Sequence, residues 1–265
     1  MFGKKIEILY MFSLISGMLI LMFILGPLIN TFNWIQKDLM IEALHDDKII
    51  KSILLSMKCA TYSMLLAFVL GVSFAYYIER HEFYGKRFLE SIIDIPMVMP
   101  HTVVGIALLT VLSRRSALGK FMMAHNIDIL GTEIAIVIAM LFVSLPLMFN
   151  SAKEAFKWIP VRMENVSRSL GASHFKTFFT ITFRLAWRDL LSGMIITWAR
   201  SISEFGAVII LAYHPMIAPT LIYERFSTYG IIYAIPVTAI LMMIAMVLFI
   251  ALRLVASNNR KRVKL

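Results

Sequence analysis

The stretch ENVSRSLGASHFKTFFTITFRLA, residues 164–186, lies in the longest polar interval between two apolar runs, at about residues 150–189. Its pattern predicts two short helices joined by a tight bend. Pro160 can occupy the first turn of a helix because its missing amide proton is not needed there. Gly171 is suited to end that helix, since glycine adopts a left-handed backbone without a Cβ penalty. Ser173 can then cap a second helix.

Both predicted helices are amphipathic. Apolar residues recur at i, i+3 and i+7 in the first helix, and three phenylalanines and a threonine of the second also share one face. These positions are Met163, Val166 and Leu170, followed by Phe175, Phe178, Phe179 and Thr182. Two interpretations follow: a helix pair that lies on lipid headgroups, or a docking surface for a soluble partner.

The composition of the chain is that of a membrane protein. Its 265 residues are 60% hydrophobic and 16% charged, whereas soluble domains are about half apolar and a quarter charged. An ordinary soluble enzyme and a disordered chain are therefore excluded. The net charge of +10 is interpreted as a mark of cytoplasmic loops, not of a nucleic-acid partner. Cys59 is the only cysteine, which excludes an internal disulfide and a thiolate-rich metal site.

Six apolar segments are long enough to cross a bilayer, which takes about 20 helical residues. Prolines within the third, fourth and sixth segments predict kinks. The predicted spans, each approximate, are Ile8–Ile29, Ser52–Ile78, Ser91–Leu112, Thr132–Phe149, Leu190–Tyr213 and Tyr233–Val255.

The basic residues predict the orientation of these spans. If both termini are cytoplasmic, 17 of the 26 Lys and Arg residues lie on the cytoplasmic side and 7 lie outside, as the positive-inside rule requires. We therefore expect a first helix and outer loop at 1–50 and a core of five spans at 51–255. A basic cytoplasmic tail follows at 256–265. The prediction is an all-α, multi-pass protein of the cell membrane, in contact with lipid.

The polar interval resembles the EAA loop of ATP-binding-cassette (ABC) importer permeases. That pattern is Glu-Ala-Ala, three residues, Gly, nine residues, then Ile-x-Leu-Pro, and Gly171 and Ile181 stand at the matching separation. Glu164 is one place early, Asn165 stands where the family has Glu, and Arg184 replaces the final Pro.

Three further stretches are similar to the molybdate and tungstate branch of this family, with sulfate permeases as near relatives. The similarity covers nearly the whole chain, and the stretches are DIPMVMPHTVVGIALL (94–109), RSISEFGAV (200–208) and APTLIYERF (218–226). The resemblance implies the type I ABC importer permease fold.

The resemblance also implies partners and a role for the EAA-type loop. A second copy of the chain, two copies of a cytoplasmic ABC ATPase and an external oxyanion-binding protein are expected. Tyr223, Glu224 and Arg225 in the third outer loop are candidates to contact the binding protein, although an exposed charged loop without this role would have the same sequence. The chain itself would bind no cofactor, with ATP and Mg²⁺ held by the ATPase. The segment implied to couple the permease to the ATPase comprises Ser167, Arg168, Ser169, Leu170, Gly171, Ala172, Ser173, His174, Phe175 and Lys176.

Catalytic motifs are missing from the sequence. There is no phosphate loop of the GxxxxGK[ST] type and no HExxH motif, and the six histidines are scattered. We therefore expect no ATP hydrolysis by this chain, no metal site and no enzymatic activity.

Charged residues inside a span are costly and therefore informative. Arg200 and Glu204 are spaced i, i+4, so they can form an ion pair on one helical face. Two interpretations are open. The pair is a structural ion pair, or Arg200 binds an oxyanion transiently on the translocation path while Glu204 prevents tight binding. The hydroxyls of Thr102, Ser144 and Ser203 are further candidates for that path.

The leading prediction is thus the permease of an ATP-powered molybdate or tungstate importer. A secondary carrier or channel for anions is the alternative. A carrier would need coupling carboxylates, and Glu204 is the only acidic residue deep in a predicted span.

Overall fold

The computed structural model describes residues 2–258, with the side chains of residues 10–251 and 254. This part of the chain contains thirteen α-helices, one π-helical turn at Phe178–Thr182, and no strand. The predicted all-α class is confirmed, and the basic tail predicted at 256–265 lies outside the described side chains. In chain order the helices are α1 (Phe2–Asn33), α2 (Lys37–His45), α3 (Asp47–Arg80), α4 (Lys86–Val98), α5 (His101–Leu112), α6 (Ala117–Ala124), α7 (Glu133–Lys157), α8 (Val161–Ser169), α9 (His174–Thr177), α10 (Phe183–Ile202), α11 (Val208–Leu211), α12 (Ala218–Tyr229) and α13 (Ile231–Asn258).

Helices α3, α7 and α10 pack against one another and form the centre of the protein. One apolar cluster surrounds Met140 and a second surrounds Phe149. Small residues allow the backbones to approach closely: Ala67 and Ala75 are fully buried. A Cβ atom added to Gly71, which lies between them, would be 3.2 Å from the backbone nitrogen of Phe149.

Four helical segments among the described residues are long and apolar enough to cross a membrane. They agree with the first, second, fourth and sixth predicted spans and comprise Tyr10–Asn33, Asp47–Arg80, Glu133–Lys157 and Ile231–Ala251. A fifth is obtained if α4 and α5 are counted together. The prediction of six membrane-spanning helices is therefore only partly confirmed, since four or five candidate spans are present.

The predicted third span, Ser91–Leu112, is not one helix. Helices α4 and α5 meet at an angle of 112°. Met99 (ψ 138°) and Pro100 (ψ 136°) both have an extended ψ. Met99 precedes proline, and a residue in that position is disfavoured in the α conformation. The kink expected from Pro100 is thus a sharp corner between two helices.

The predicted fifth span, Leu190–Tyr213, is also broken. Helix α10 ends at Ile202, and the short α11 begins only at Val208. Side chains bind the backbone groups in between, since Glu204 Oε1 accepts a hydrogen bond of 2.9 Å from the Ala207 amide. A Cβ atom on Gly206 would lie 2.7 Å from that of His101, so this glycine lets the start of α5 pack against the break.

Helix α1 lies apart from the centre. None of the 18-residue apolar window in Tyr10–Asn33 is buried, and α1 contacts α13. Its large apolar side chains, such as Phe23, are exposed. This surface fits a lipid or protein environment outside the chain itself.

Candidate functional site

The predicted helix, bend and helix are present in the polar interval. Helix α8 follows Pro160 directly, and Gly171 has a φ of +89°. The Gly171 amide donates to the carbonyl of Arg168 at 2.9 Å, and the Ala172 amide donates to that of Ser167 at 3.2 Å. Ser173 Oγ caps α9 by accepting from the Lys176 amide at 3.3 Å. The local sequence signals therefore identified this motif correctly.

The two helices present an apolar surface to the outside. Leu170 is 84% exposed and Phe175 is 75% exposed. A groove of about 760 Å³ lies beside them. Its lining includes Met163, Val166 and Ala172, together with the basic residues Arg162 and Lys176. An exposed group of apolar side chains with polar residues around it is typical of a protein interaction site.

We call the ten predicted coupling residues the coupling segment (167–176). Polar contacts between side chains stabilise the conformation of this segment. Ser167 Oγ lies 3.1 Å from Thr177 Oγ1. The Arg168 guanidinium lies 2.9 Å from His174 Nε2 and donates to the Asn165 side chain. Asn165, where the family has Glu, thus binds within its own chain.

Glu164 is a residue whose importance the sequence reasoning missed. It is only 4% exposed, although it belongs to a helix on the surface. Its carboxylate accepts hydrogen bonds from Arg80, Tyr76 and Thr182. These partners tie α8 to α3 and to the end of the π-helical turn.

A second polar cluster lies at the break after α10. Arg200 Nη2 is 3.1 Å from Glu204 Oε2, which confirms the predicted ion pair. The same nitrogen lies within 3.1 Å of both ring nitrogens of His101, at the start of α5. Glu204 is 1% exposed, whereas His101 is exposed. The cluster therefore joins the buried Glu204 carboxylate to the half-buried Arg200 guanidinium and the exposed His101 ring.

The other candidate path residues occupy different surroundings. Thr102 and Ser203 are exposed near the cluster, and Arg200 Nη1 lies 3.5 Å from Ser203 Oγ. Ser144 is fully buried, and its hydroxyl lies 3.3 Å from Ser63 Oγ between α3 and α7. The structure thus brings Ser203, Arg200 and Glu204 together, with Thr102 next to His101 in the chain. Ser144 instead belongs to a buried hydroxyl cluster, in which Ser63 Oγ also lies 3.2 Å from Ser201 Oγ of α10.

A third feature lies at the other end of α3. Counted at about 1.5 Å per residue, the 34 residues of α3 extend roughly 50 Å, so its first turn is far from Glu164. A pocket of about 480 Å³ there is lined by Lys48, Glu224 and Arg225. Arg225 Nη2 lies 2.6 Å from Asp46 Oδ2.

No group of three or more His, Cys, Asp or Glu residues in the described part of the chain is placed to hold a metal ion. The geometry therefore consists of a docking-type surface at one end, polar groups at a broken helix, and a charged pocket at the far end.

Comparison with known proteins identifies the family. The family described as "binding-protein-dependent transport system inner membrane component" matches residues 67–263. The chain belongs to this family. The expectation of a membrane transport subunit, not an enzyme, is thereby confirmed.

Individual relatives of this binding-protein-dependent permease support the same family assignment. It is 37% identical to the molybdate/tungstate transport system permease protein WtpB of Pyrococcus abyssi, over 95% of this chain and 96% of that protein. It is 29% identical to a probable sulfate transport system permease of Nephroselmis olivacea, over 78% and 74% of the two chains. The resemblance to both kinds of permease is confirmed.

The fold agrees with a solved structure of an ABC importer. A chain of the bacterial alginate ABC transporter, in complex with an alginate pentasaccharide-bound periplasmic protein, matches with a TM-score of 0.77. The match covers 98% of this chain and 96% of that one, at 18% identity. The predicted ABC importer permease fold is therefore confirmed.

Proposed function

We propose that this permease is the membrane subunit of an ATP-powered importer of molybdate or tungstate. The observation that carries the proposal is the exposed, internally braced coupling segment on a chain that belongs to the binding-protein-dependent permeases. The substrate is inferred from the molybdate/tungstate permease of Pyrococcus abyssi, because that similarity extends over 95% of this chain.

The proposed topology has six spans with both termini in the cytoplasm. Helices α4 and α5 together form the third span, and α10 with α11 forms the fifth, so two spans are broken. The distribution of Lys and Arg supports this orientation. In this orientation the coupling segment would lie in the cytoplasm, and the pocket of Lys48 and Arg225 would lie outside.

The proposed assembly contains two copies of this chain, two ATPase subunits and an external binding protein. One chain supplies only part of the wall of a central path, and a two-fold dimer completes it. The coupling segment would seat in a cleft of the ATPase, with Leu170 and Phe175 as apolar anchors. The outer pocket would receive the binding protein.

Arg200 is proposed to act on the anion as it passes. Its guanidinium offers several donors to an oxyanion, while Glu204 offsets its charge so that the anion is not trapped. Thr102 and Ser203 would supply neutral donors beside it. Ser144 would reach the path only in another conformation, since it is buried here.

A passive channel or a carrier is less suited to this task. Bringing a dianion into a cell with an inside-negative potential of about 100 mV costs about 4.6 kcal/mol before any concentration gradient. A channel cannot supply this energy. The carrier alternative is also disfavoured by membership of a family of binding-protein-dependent systems.

The proposal is tested by reconstituting the permease with its ATPase and binding protein in liposomes and measuring uptake of tungstate. We expect uptake that depends on ATP and on both partners. Uptake by the permease alone, driven by an ion gradient, would contradict the proposal and favour a carrier.

A further inference from the structure

The attachment of α8 to the rest of the protein is unusual. Helix α8 carries the groove-lining residues Met163 and Val166, both of which are exposed. Its one buried residue in the described structure is Glu164, a charged side chain. The helix is thus held by a carboxylate and not by an apolar face of its own.

The carboxylate of Glu164 is fully occupied by this chain's own donors. Arg80 Nε and Nη2 both lie 2.9 Å from Glu164 Oε1. Thr182 Oγ1 donates to the same oxygen at 2.7 Å, and the Tyr76 hydroxyl donates to Oε2 at 3.2 Å. We call Glu164 and its three partners, Arg80, Thr182 and Tyr76, the Glu164 socket. A buried carboxylate with this number of donors has one strongly preferred orientation.

Arg80 also fixes the chain just before α8. Its Nη2 donates to the carbonyl of Ile159 at 3.2 Å. The ion pair is enclosed, with side-chain exposures of 8% for Arg80 and 6% for Glu164. Arg80 therefore holds both the entry to α8 and its first turn against the cytoplasmic end of α3.

Thr182 connects the same site to α10. It is the last residue of the π-helical turn that joins α9 to α10, and wider turns of this kind occur often at functional sites. Glu164 of α8 is thus bound to α3 through Arg80 and Tyr76, and to the turn that leads into α10 through Thr182.

We propose that Arg80 and Glu164 are positioning residues that make the coupling segment move as one body with α3 and α10. Glu164 then acts inside its own chain and does not contact the ATPase, because its carboxylate is enclosed. This inference rests on the proposed role of the coupling segment. An ion pair with directed hydrogen bonds fixes the orientation of α8 relative to α3. Apolar contacts, which have no preferred direction, would not fix the orientation of this exposed helix.

The test uses the complete transporter in liposomes, with tungstate-loaded binding protein as the stimulus. The double variant Arg80→Met with Glu164→Gln removes both charges and so avoids an unpaired buried charge. It is expected to bind the ATPase and to keep basal hydrolysis, while the stimulated-to-basal ratio falls about tenfold. The matched control is Lys153→Met with Glu90→Gln, which removes the 3.4 Å ion pair between α7 and α4 and should leave the ratio unchanged.

Two results would overturn the inference. One is normal stimulation in the Arg80 and Glu164 double variant. The other is a loss of affinity for the ATPase in Glu164→Gln that Arg80→Met does not share, since that would make Glu164 a direct contact with the partner. The wild-type transporter separates this test from that of the proposed function: if loaded binding protein fails to stimulate it, the coupling role itself is wrong.

A milder variant decides the matter if the double variant does not assemble. Tyr76→Phe with Thr182→Val removes two donors and keeps the ion pair. Its stimulated-to-basal ratio should fall by about fivefold at unchanged basal hydrolysis. Full stimulation in this variant would show that the Glu164 socket does not transmit motion.

Discussion

Replacing Gly171 by valine should uncouple ATP hydrolysis from transport without unfolding the protein. Gly171 has a φ of +89°, and a Cβ atom there would meet no other atom within 4 Å. The whole cost therefore comes from the left-handed backbone, about 1–2 kcal/mol for an ordinary L residue. An energy of that size shifts the population of the native bend by about 5- to 30-fold. We expect stimulation by loaded binding protein, measured as phosphate release in liposomes, to fall by a similar factor.

Gly85 supplies a matched control for this experiment. It has a φ of +90° and equally open surroundings, but it precedes α4 and lies outside the coupling segment. Gly85→Val should carry the same backbone strain and leave stimulation near the wild-type value. Equal losses in the two variants, or normal stimulation in a well-folded Gly171→Val protein, would refute the reasoning about the bend.

Three further predictions concern the membrane region. Arg200→Ala should lower tungstate uptake and leave assembly with the ATPase intact, whereas misfolding caused by an unpaired Glu204 would indicate a structural pair. The double variant Arg200→Ala with Glu204→Ala should assemble and still import poorly, because removing both charges does not replace the donor to the anion; full uptake by this variant would make the pair purely structural. Gly206→Ala should lower the thermal midpoint by a few degrees, as expected for overpacking of about 1–3 kcal/mol against His101, whereas Gly26→Ala, which has open space around it, should not. Mass measurement of the purified transporter should give two permeases and two ATPases, and a monomeric permease that imports with full activity would contradict the dimer.

Features fixed by neighbouring residues were predictable from the sequence. The start of α8 after Pro160, the bend at Gly171 and the cap at Ser173 each depend on contacts within about four residues. The Arg200–Glu204 pair is likewise local, at a separation of one helical turn. Hydropathy found the four long spans for the same reason, since each is a continuous apolar run.

Features that depend on distant parts of the chain were not predictable. Glu164 is 84 residues from Arg80 and 18 from Thr182, so nothing next to it indicates a buried carboxylate. The break after α10 lies where Gly206 approaches His101 of α5, about 100 residues away in the sequence. Hydropathy averages across such a break, because apolar residues continue on both sides of it.

The central claim is that the coupling segment of this permease seats in the ATPase. It is tested most directly by placing a photo-crosslinking amino acid at Leu170, whose side chain is 84% exposed, in the assembled transporter. A second probe at Leu118, in the short helix α6 between the proposed third and fourth spans and thus outside the cell, serves as the control. We expect a crosslink to the ATPase from Leu170 and none from Leu118. An actively importing transporter that gives no crosslink from Leu170, or gives one from Leu118, would contradict it.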